Sequence, residues 1–310
     1  MDNKRIGFIG VGAMGLPMAL RLCQAGYNVV FTSRRDEAVQ RLTAAGATAV
    51  PTPLLVASQS DVVMSCLPAD DDLFQVFLGP DGVIENMQPG GTIIDFSTTS
   101  PMMIQRVAAE AARRQIRVVD APVSGGVYGA ERGTLTLMVG ADGAVLEEVR
   151  PLLEVLGSQI YHVGDIGLGK VFKIINNLLT GTTLVLVGEA LSLAANAGAD
   201  LSLLYEVVKS SSGNSAAWTD AVPTLLQAAA EGDQPAPSPG FRLELMRKDL
   251  KLAEALGADL GTPLALTTLA LQFYTAACSR GMAKEDAKQV GRLVARLANA
   301  DLSPRASDGA

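Results

Sequence analysis

The sequence predicts an α/β doubly wound sheet followed by an all-α domain, and three observations carry that prediction. Short β-branched runs alternate with amphipathic helical stretches through the first half, and a Gly-rich turn closes the first of those runs. After about Gly164 the strand-like runs vanish, and long Ala/Leu-rich segments at helical period continue to about Ala300. Such alternation implies right-handed crossovers, and hence a parallel sheet with helices on both faces.

Taken in order, residues 5–10 read as the opening strand, 14–25 as a helix ended by Gly26, and 28–32 as the second strand. Asp36 is placed as the cap of a helix over 36–42. Further strands are expected at 61–67, 91–96, 117–120 and 134–139, with 159–164 as a strand end and Ser100-Pro101 as an N-cap and N1 pair. The apolar segment 174–199 is interrupted by Asn176, Asn177, Gly181, Gly188 and Glu189. It reads as a helix buried in protein rather than as a membrane span, and the lightly charged segment 169–197 as a central helix joining the domains and covered on most sides. The expected division is 1–164, 165–300 and a frayed tail 301–310, with the proline-bearing loop 231–240 separating two helical groups.

Bulk properties remove several function classes. With 310 residues, 48% hydrophobic and 18% charged, the chain suits two packed domains and argues against disorder. A net charge of −7 and a pI near 4.9, with no basic run longer than Arg34-Arg35 or Arg113-Arg114, argue against a nucleic-acid partner. Cys23, Cys66 and Cys278 are widely spaced, and glycine interrupts the N-terminal apolar run too early for a secretion signal, so a cytoplasmic setting is expected. His162 is the only histidine and reads as solvated at a strand end. Multi-histidine metal sites are thereby excluded and no metal is expected; a Ser-His-Asp triad would have to use this one side chain.

Gly10-Val11-Gly12-Ala13-Met14-Gly15 is a GxGxxG between a strand and a helix. Gly10 permits the tight turn, Gly12 lets a pyrophosphate approach the backbone, and Gly15 brings helix and strand together. The second strand ends at Ser33-Arg34-Arg35, where an NAD enzyme commonly has a carboxylate for the ribose. Two guanidinium groups suit a 2′-phosphate instead, so NADP(H) is preferred over NAD(H). Leu67-Pro68 and the loop holding Thr98 follow later strands, at the edge where open α/β sheets gather ligands.

Ser124-Gly125-Gly126 presents bare backbone and a hydroxyl after another strand, which suits a small carboxylate substrate. Lys173 and Asn177, four apart, share one face of the long helix near its start. A protonated lysine there can stabilise and neutralise charge that develops on a carbonyl oxygen, with Asn177 orienting that oxygen. In the oxidative direction the lysine must be neutral, which needs burial or nearby positive charge to lower its pKa from about 10.4. Gly164 to Lys170 formally matches GxxxxGK, but Val171 follows where a nucleoside triphosphatase needs Ser or Thr for magnesium.

Together these motifs, with Phe241 and Leu245-Met246-Arg247-Lys248-Asp249-Leu250, resemble the β-hydroxyacid dehydrogenase family over nearly the whole chain. The resemblance implies a Rossmann domain and a helical domain, usually assembled as homodimers or homotetramers through the helical part. It further implies that Ser124, Gly125 and Gly126 hold the substrate carboxylate, that Lys173 is the acid/base assisted by Asn177, and that Lys248 lies near nicotinamide and substrate. Val139-Gly140-Ala141-Asp142 stands where the family commonly has a double glycine, and reads as a surface difference. Val127, Tyr128 and Trp218 occupy positions that vary with the substrate side chain. Imine reductases share the scaffold but generally replace the lysine, and a non-catalytic NADP(H) sensor would have no use for Lys173 with Asn177.

Overall fold

The computed structural model describes residues 4–231 and 240–303, so the expected loop 231–240 and tail 301–310 lie largely outside the described residues. The chain divides into two compact units between Ile174 and Ile175.

The first unit opens with β1 (Arg5–Ile9), α1 (Gly15–Gln24), β2 (Asn28–Thr32), α2 (Asp36–Ala44), β3 (Thr48–Ala49), α3 (Pro53–Ser58) and β4 (Val62–Ser65). There follow α4 (Asp70–Leu73), which runs on into a π-helical turn over Phe74–Leu78, then α5 (Val83–Asn86), β5 (Thr92–Asp95), α6 (Pro101–Arg113) and β6 (Arg117–Asp120). It closes with β7 (Val123–Ser124), α7 (Gly126–Arg132), β8 (Leu135–Gly140), α8 (Gly143–Leu156) and β9 (Gly157–Gly164). Among the described residues the strands form one sheet in the order β3-β2-β1-β4-β5-β6-β8-β7, with β9 also on β8. Every pairing from β3 to β6 is parallel, and the direction reverses only where β8 meets β6 and β7. The order reverses between β1 and β4, the switch point at which doubly wound sheets open a crevice.

The two-residue period of the strands explains why both faces are covered. Ile6 and Phe8, Val62 and Met64, Ile94 and Val119 enter one apolar cluster with α1 and α8. Their neighbours Ile9, Val63, Ile93 and Val118 enter the opposite cluster, with Phe77, Ile104 and Val107. The parallel strands that were expected are present. The two-residue strands β3 and β7 were not anticipated, and β9 extends further back than the expected strand end.

Three local expectations need correction. Asp36 is the first helical residue of α2 and not its cap; Arg35 occupies that place without a side-chain hydrogen bond, and the Ser33 hydroxyl accepts from the Arg35 amide at 3.1 Å. Residues 139–142 are no surface feature, since Val139, Gly140 and Ala141 are buried and Asp142 caps α8 by accepting from the Ala144 and Val145 amides. His162 is exposed as expected, yet its Nε2 lies 2.8 Å from the Ala141 carbonyl. Ser100 does cap α6, accepting from the Met103 amide, with Pro101 at the first helical position.

The long helix α9 (Leu168–Asn196) begins in the first unit and continues into the second. The second unit goes on with α10 (Leu201–Lys209), α11 (Ala216–Glu231), α12 (Leu243–Asp259), α13 (Ala265–Ser279) and α14 (Val290–Leu297). Its core gathers Leu184, Leu191, Trp218, Leu225, Met246, Leu250, Tyr274 and Leu293. By length and composition α9 could cross a membrane, and 39% of its most apolar window is buried. The expected coverage on most sides is not found: Phe172, Ile175, Leu179, Leu186 and Leu193 are all exposed along it.

At the start of the first unit, Glu148 of α8 accepts from Lys4 at 2.7 Å and pairs with Arg117. The Arg117 and Lys4 hydrogen bonds hold its carboxyl down at about 2. A depressed carboxylate stabilises the fold above its unfolded pKa, and that contribution is lost as pH falls from about 4.5 towards about 2. Because the groups are partly exposed and screened, its worth is at most about 1 kcal/mol. Urea denaturation of Glu148→Gln should show that deficit at pH 7 and a shrinking one towards pH 3; a gap that stays constant with pH would contradict the assignment.

Candidate active site

The carboxyl ends of the parallel strands lie in register, Ile9 opposite Ser65, Ser65 opposite Asp95, and Asp95 opposite Asp120. Everything that follows β1, β4, β5 and β6 therefore starts from one line along the sheet edge. After β1 comes the glycine turn. Gly10 has φ +90°, and a Cβ there would stand 2.3 Å from the Cys66 carbonyl, so only glycine allows the turn to close against the strand beside it. A Cβ on Gly15 would stand 2.1 Å from the Gly10 carbonyl, which is why α1 can begin so close to β1.

Gly12 differs from both, because a Cβ added to it would meet nothing within 4 Å. Its backbone borders open space, and Met14 at the N-cap of α1 gives no side-chain hydrogen bond to the helix start, where the Leu16 amide donates to the Gly12 carbonyl at 3.0 Å and Pro17 has no N–H. Ala13 and Met14 complete that turn. A pyrophosphate fits a cradle of this kind, since it needs close backbone approach and uncapped amides at a helix N-terminus.

Around this turn, Leu67 Cδ2 would be 3.0 Å from a Cβ on Gly10, and the Leu67 amide donates to Ser97 Oγ at 2.8 Å. The structure thus brings the Gly10, Leu67 and Ser97 segments together, with exposed Pro68 and half-buried Thr98 beside them in sequence. At the end of β2, Arg34 and Arg35 are both exposed. Arg35 pairs with Glu37 at 3.2 Å, whereas among the described residues no ion pair engages Arg34.

Past β6, Ser124 lies in β7 opposite Thr136, and Gly125 and Gly126 follow with φ of +129° and +63°. These angles exclude most side chains and turn the backbone out of the strand. Lys173 is 9% exposed, near the start of α9, and Asn177 is 4% exposed one turn further on. Asn177 donates to Asp249 Oδ2 at 2.5 Å, and Lys248 pairs with Asp249 Oδ1 at 3.0 Å, so α12 brings the expected residues Asn177 and Lys248 to one carboxylate. Of the three specificity candidates, Val127 is half-buried, Tyr128 is exposed and meets Arg132, and Trp218 is buried in the second unit with its Nε1 donating to the Tyr205 carbonyl at 3.3 Å.

The residues that sequence reasoning missed are Asp95, Lys170 and Asp249. Lys170 is fully buried, 2.8 Å from Asp95 Oδ2 and 2.8 Å from Asp120 Oδ1. Burial works against its ammonium, yet the two carboxylates outweigh that and hold Lys170 above the usual lysine range. On Asp120 burial is the largest influence, and it pushes the carboxyl up against the pull of Lys170. A signal for this cluster existed: two adjacent strands, Thr92-Ile93-Ile94-Asp95 and Arg117-Val118-Val119-Asp120, each place an aspartate after two β-branched apolar residues, and buried carboxylates call for a cation.

Comparison with known proteins agrees with this architecture. Residues 5–164 match the NAD binding domain of 6-phosphogluconate dehydrogenase, and residues 167–294 match the NAD-binding domain of NADP-dependent 3-hydroxyisobutyrate dehydrogenase. The chain is 38% identical to 2-(hydroxymethyl)glutarate dehydrogenase of Eubacterium barkeri over 96% of its own length and 97% of that protein's. It is 39% identical to 3-hydroxyisobutyrate dehydrogenase of Pseudomonas aeruginosa, over 84% and 88% of the two chains. Among solved structures, Mycobacterium tuberculosis 3-hydroxyisobutyrate dehydrogenase with L-serine superposes with a TM-score of 0.83 at 30% identity, over 94% and 99% of the chains. The Rossmann-like sheet, the uncapped glycine turn and this similarity along almost the whole sequence lead to one conclusion: the chain belongs to the β-hydroxyacid dehydrogenase family, NAD(P)-dependent oxidoreductases that act on CH–OH groups.

Proposed function

We propose that the chain is an NADP(H)-dependent dehydrogenase of small β-hydroxy acids or their semialdehydes, with Lys173 as the general acid/base. The observation that carries the reading is that Lys173 stands almost buried in the first turns of α9, a helix whose start is bonded to Asp95 and Asp120 at the ligand-gathering edge of the sheet. Of the two lysines there, Lys170 is fully buried between its carboxylates, and Lys173, one turn further on, is the one we assign to the chemistry.

Bound at the Gly10–Gly15 turn, the dinucleotide supplies a nicotinamide that accepts or gives up hydride. The protein's share is the proton and the geometry. Neutral Lys173 takes the hydroxyl proton as hydride leaves carbon, and in reduction its ammonium returns that proton to the carbonyl oxygen. Asn177, held by Asp249, orients the same oxygen, while Ser124 Oγ and the Gly125 and Gly126 amides receive the carboxylate. Lys248, paired with Asp249, adds positive charge for the anionic partners.

The compounds named with the relatives support a substrate class. 2-(Hydroxymethyl)glutarate, 3-hydroxyisobutyrate and L-serine all contain HOCH2–CHR–COO−, differing only in R. A fixed carboxylate and a fixed hydroxyl thus define the reaction, with R left to residues such as Val127 and Tyr128. Assembly as a homodimer or homotetramer through the helical part is supported by the exposed apolar face of α9. A cytoplasmic location accords with Cys23, Cys66 and Cys278 forming no disulfide.

Against a panel of 3-hydroxyisobutyrate, L-serine, 2-(hydroxymethyl)glutarate, tartronate semialdehyde, succinic semialdehyde and glyoxylate, Lys173→Ala should keep cofactor binding and lose at least ~10²-fold in kcat on the best substrate. Turnover like the wild type would reject Lys173. A sensor would turn over no member of the panel, and an imine reductase would need no lysine at this position.

Gly12→Val separates binding from folding. With open space over that residue, the thermal midpoint should move by no more than ~2 °C, the range of a neutral surface change, while NADPH affinity falls at least ~10-fold. A collapse of the midpoint would show that Gly12 serves packing instead.

Arg34 sets the third test. The wild type should have a higher kcat/KM with NADPH than with NADH, and Arg34→Ala should reduce that ratio by at least ~10-fold, the scale of one charge-assisted phosphate pair. A wild type that prefers NADH would overturn the cofactor assignment.

A further inference from the structure

Resting on the reading of Lys173 as the acid/base, we infer that Lys170, Asp95 and Asp120 form a positioning tie: they lock the first turn of α9 to the carboxyl ends of β5 and β6, and so set where Lys173 stands. All three side chains have no solvent exposure. Besides its ion pairs, Lys170 Nζ donates to the Asp95 backbone carbonyl at 3.1 Å, so the ammonium reaches main chain as well as carboxylate.

Asp120 acts on the backbone of the helix start. Its Oδ2 accepts from the amides of Gly167 and Lys170, both at 3.1 Å, and thereby serves as an N-terminal cap supplied from a distant strand. Asp95 faces the other way. Its Oδ1 accepts from Ser65 Oγ and Ser97 Oγ, each at 2.6 Å, and Ser97 Oγ in turn accepts from the Leu67 amide. One buried network therefore joins the ends of β4, β5 and β6, the Leu67 loop and the base of α9.

Two glycines show that the close approach is built in. A Cβ on Gly169 would stand 2.5 Å from the Met138 carbonyl and 2.9 Å from Asp120 Oδ2. A Cβ on Gly140 would stand 2.6 Å from the Asp165 carbonyl and 3.1 Å from the Gly169 amide nitrogen. The helix start is pressed onto Asp120 with no room for a side chain between.

Lys173 is three residues beyond Lys170, roughly 4.5 Å along the helix axis. A slip or rotation of the first turn passes directly to Lys173, and a misplacement of about 1 Å at reacting groups costs on the order of 10²-fold in rate. Apolar residues of similar volume would satisfy packing alone at this depth. Ion pairs and hydrogen bonds add direction, and only one rotation of the helix satisfies them all.

The test compares Lys170→Met, the double variant Lys170→Met/Asp120→Asn, and Lys173→Ala, each assayed on the most active panel substrate with NADPH binding followed by fluorescence. The double variant removes one charge of each sign, leaves Asp95 with its serine donors, and keeps an amide oxygen to accept from Gly167 and residue 170. It should fold, bind NADPH within ~3-fold of wild type, and lose at least ~10-fold in kcat with a displaced pH–kcat profile. If a folded variant at position 170 keeps wild-type kcat and pH profile while Lys173→Ala is inactive, the tie is overturned and the role of Lys173 survives. If Lys173→Ala is active, the earlier reading fails and this one with it. Should neither position-170 variant be soluble, hydrogen exchange of the wild type decides. Gly167 and Lys170 amides that exchange only by global unfolding support the tie, and exchange at the rate of a frayed helix end overturns it.

Discussion

The constraint on which the rest depends is the burial of one ammonium between two carboxylates at the edge of a parallel sheet. Lys170, Asp95 and Asp120 have no solvent to fall back on, and removing one member of such a group costs on the order of 3–5 kcal/mol. That cost is tolerable only if backbone and hydroxyl donors meet the remaining lone pairs, and the Ser65, Ser97, Gly167 and Lys170 donors do so. The in-register strand ends supply the carboxylates, the glycines at 140 and 169 supply the clearance, and α9 supplies the cation. Sheet geometry and helix placement are thus coupled through charge as well as through apolar packing.

Around that point the glycines divide their tasks. Gly10 and Gly15 answer to steric demands inside the protein, where a single added carbon would strike a carbonyl oxygen. Gly12 answers to space outside it. A motif read as one unit from the sequence therefore contains two positions required by the fold and one at which the fold leaves open space.

The legibility of the fold followed from how each element is buried. Strands β1, β2, β4, β5 and β6 are covered on both faces and appear as apolar runs, so their existence was evident and their ends were right to within a residue or two. Strands β3 and β7 have two residues each and no period to detect. Asp36 misled because an acidic residue at the start of a helix suits both the cap and the first turn, and the chain places it in the first turn. Periodicity identified α9 but not its surroundings, since a stripe such as Phe172, Ile175, Leu179, Leu186 and Leu193 has the same spacing whether or not the chain covers it. Helical spacing and family resemblance singled out Lys173 and Asn177, and both are buried on α9. The pairing of Lys170 with Asp95, 75 residues apart, arises only when the sheet edge and the helix meet.

The reversal of strand direction at β8 has a consequence for how such a chain can diversify. The parallel core from β3 to β6 ends before Ser124, and the segment that follows is fastened by the short β7–β8 pairing, Val123 with Leu137 and Ser124 with Thr136, and by Ala130, buried in the same cluster as Leu16, Met18 and Leu22 of α1. Changes at the exposed positions of this segment, such as Tyr128 and Arg132, thus fall outside the parallel core, whereas a larger side chain at Ala130 would press on α1. Sequence change at those exposed positions can proceed without disturbing the strands that carry the glycine turn.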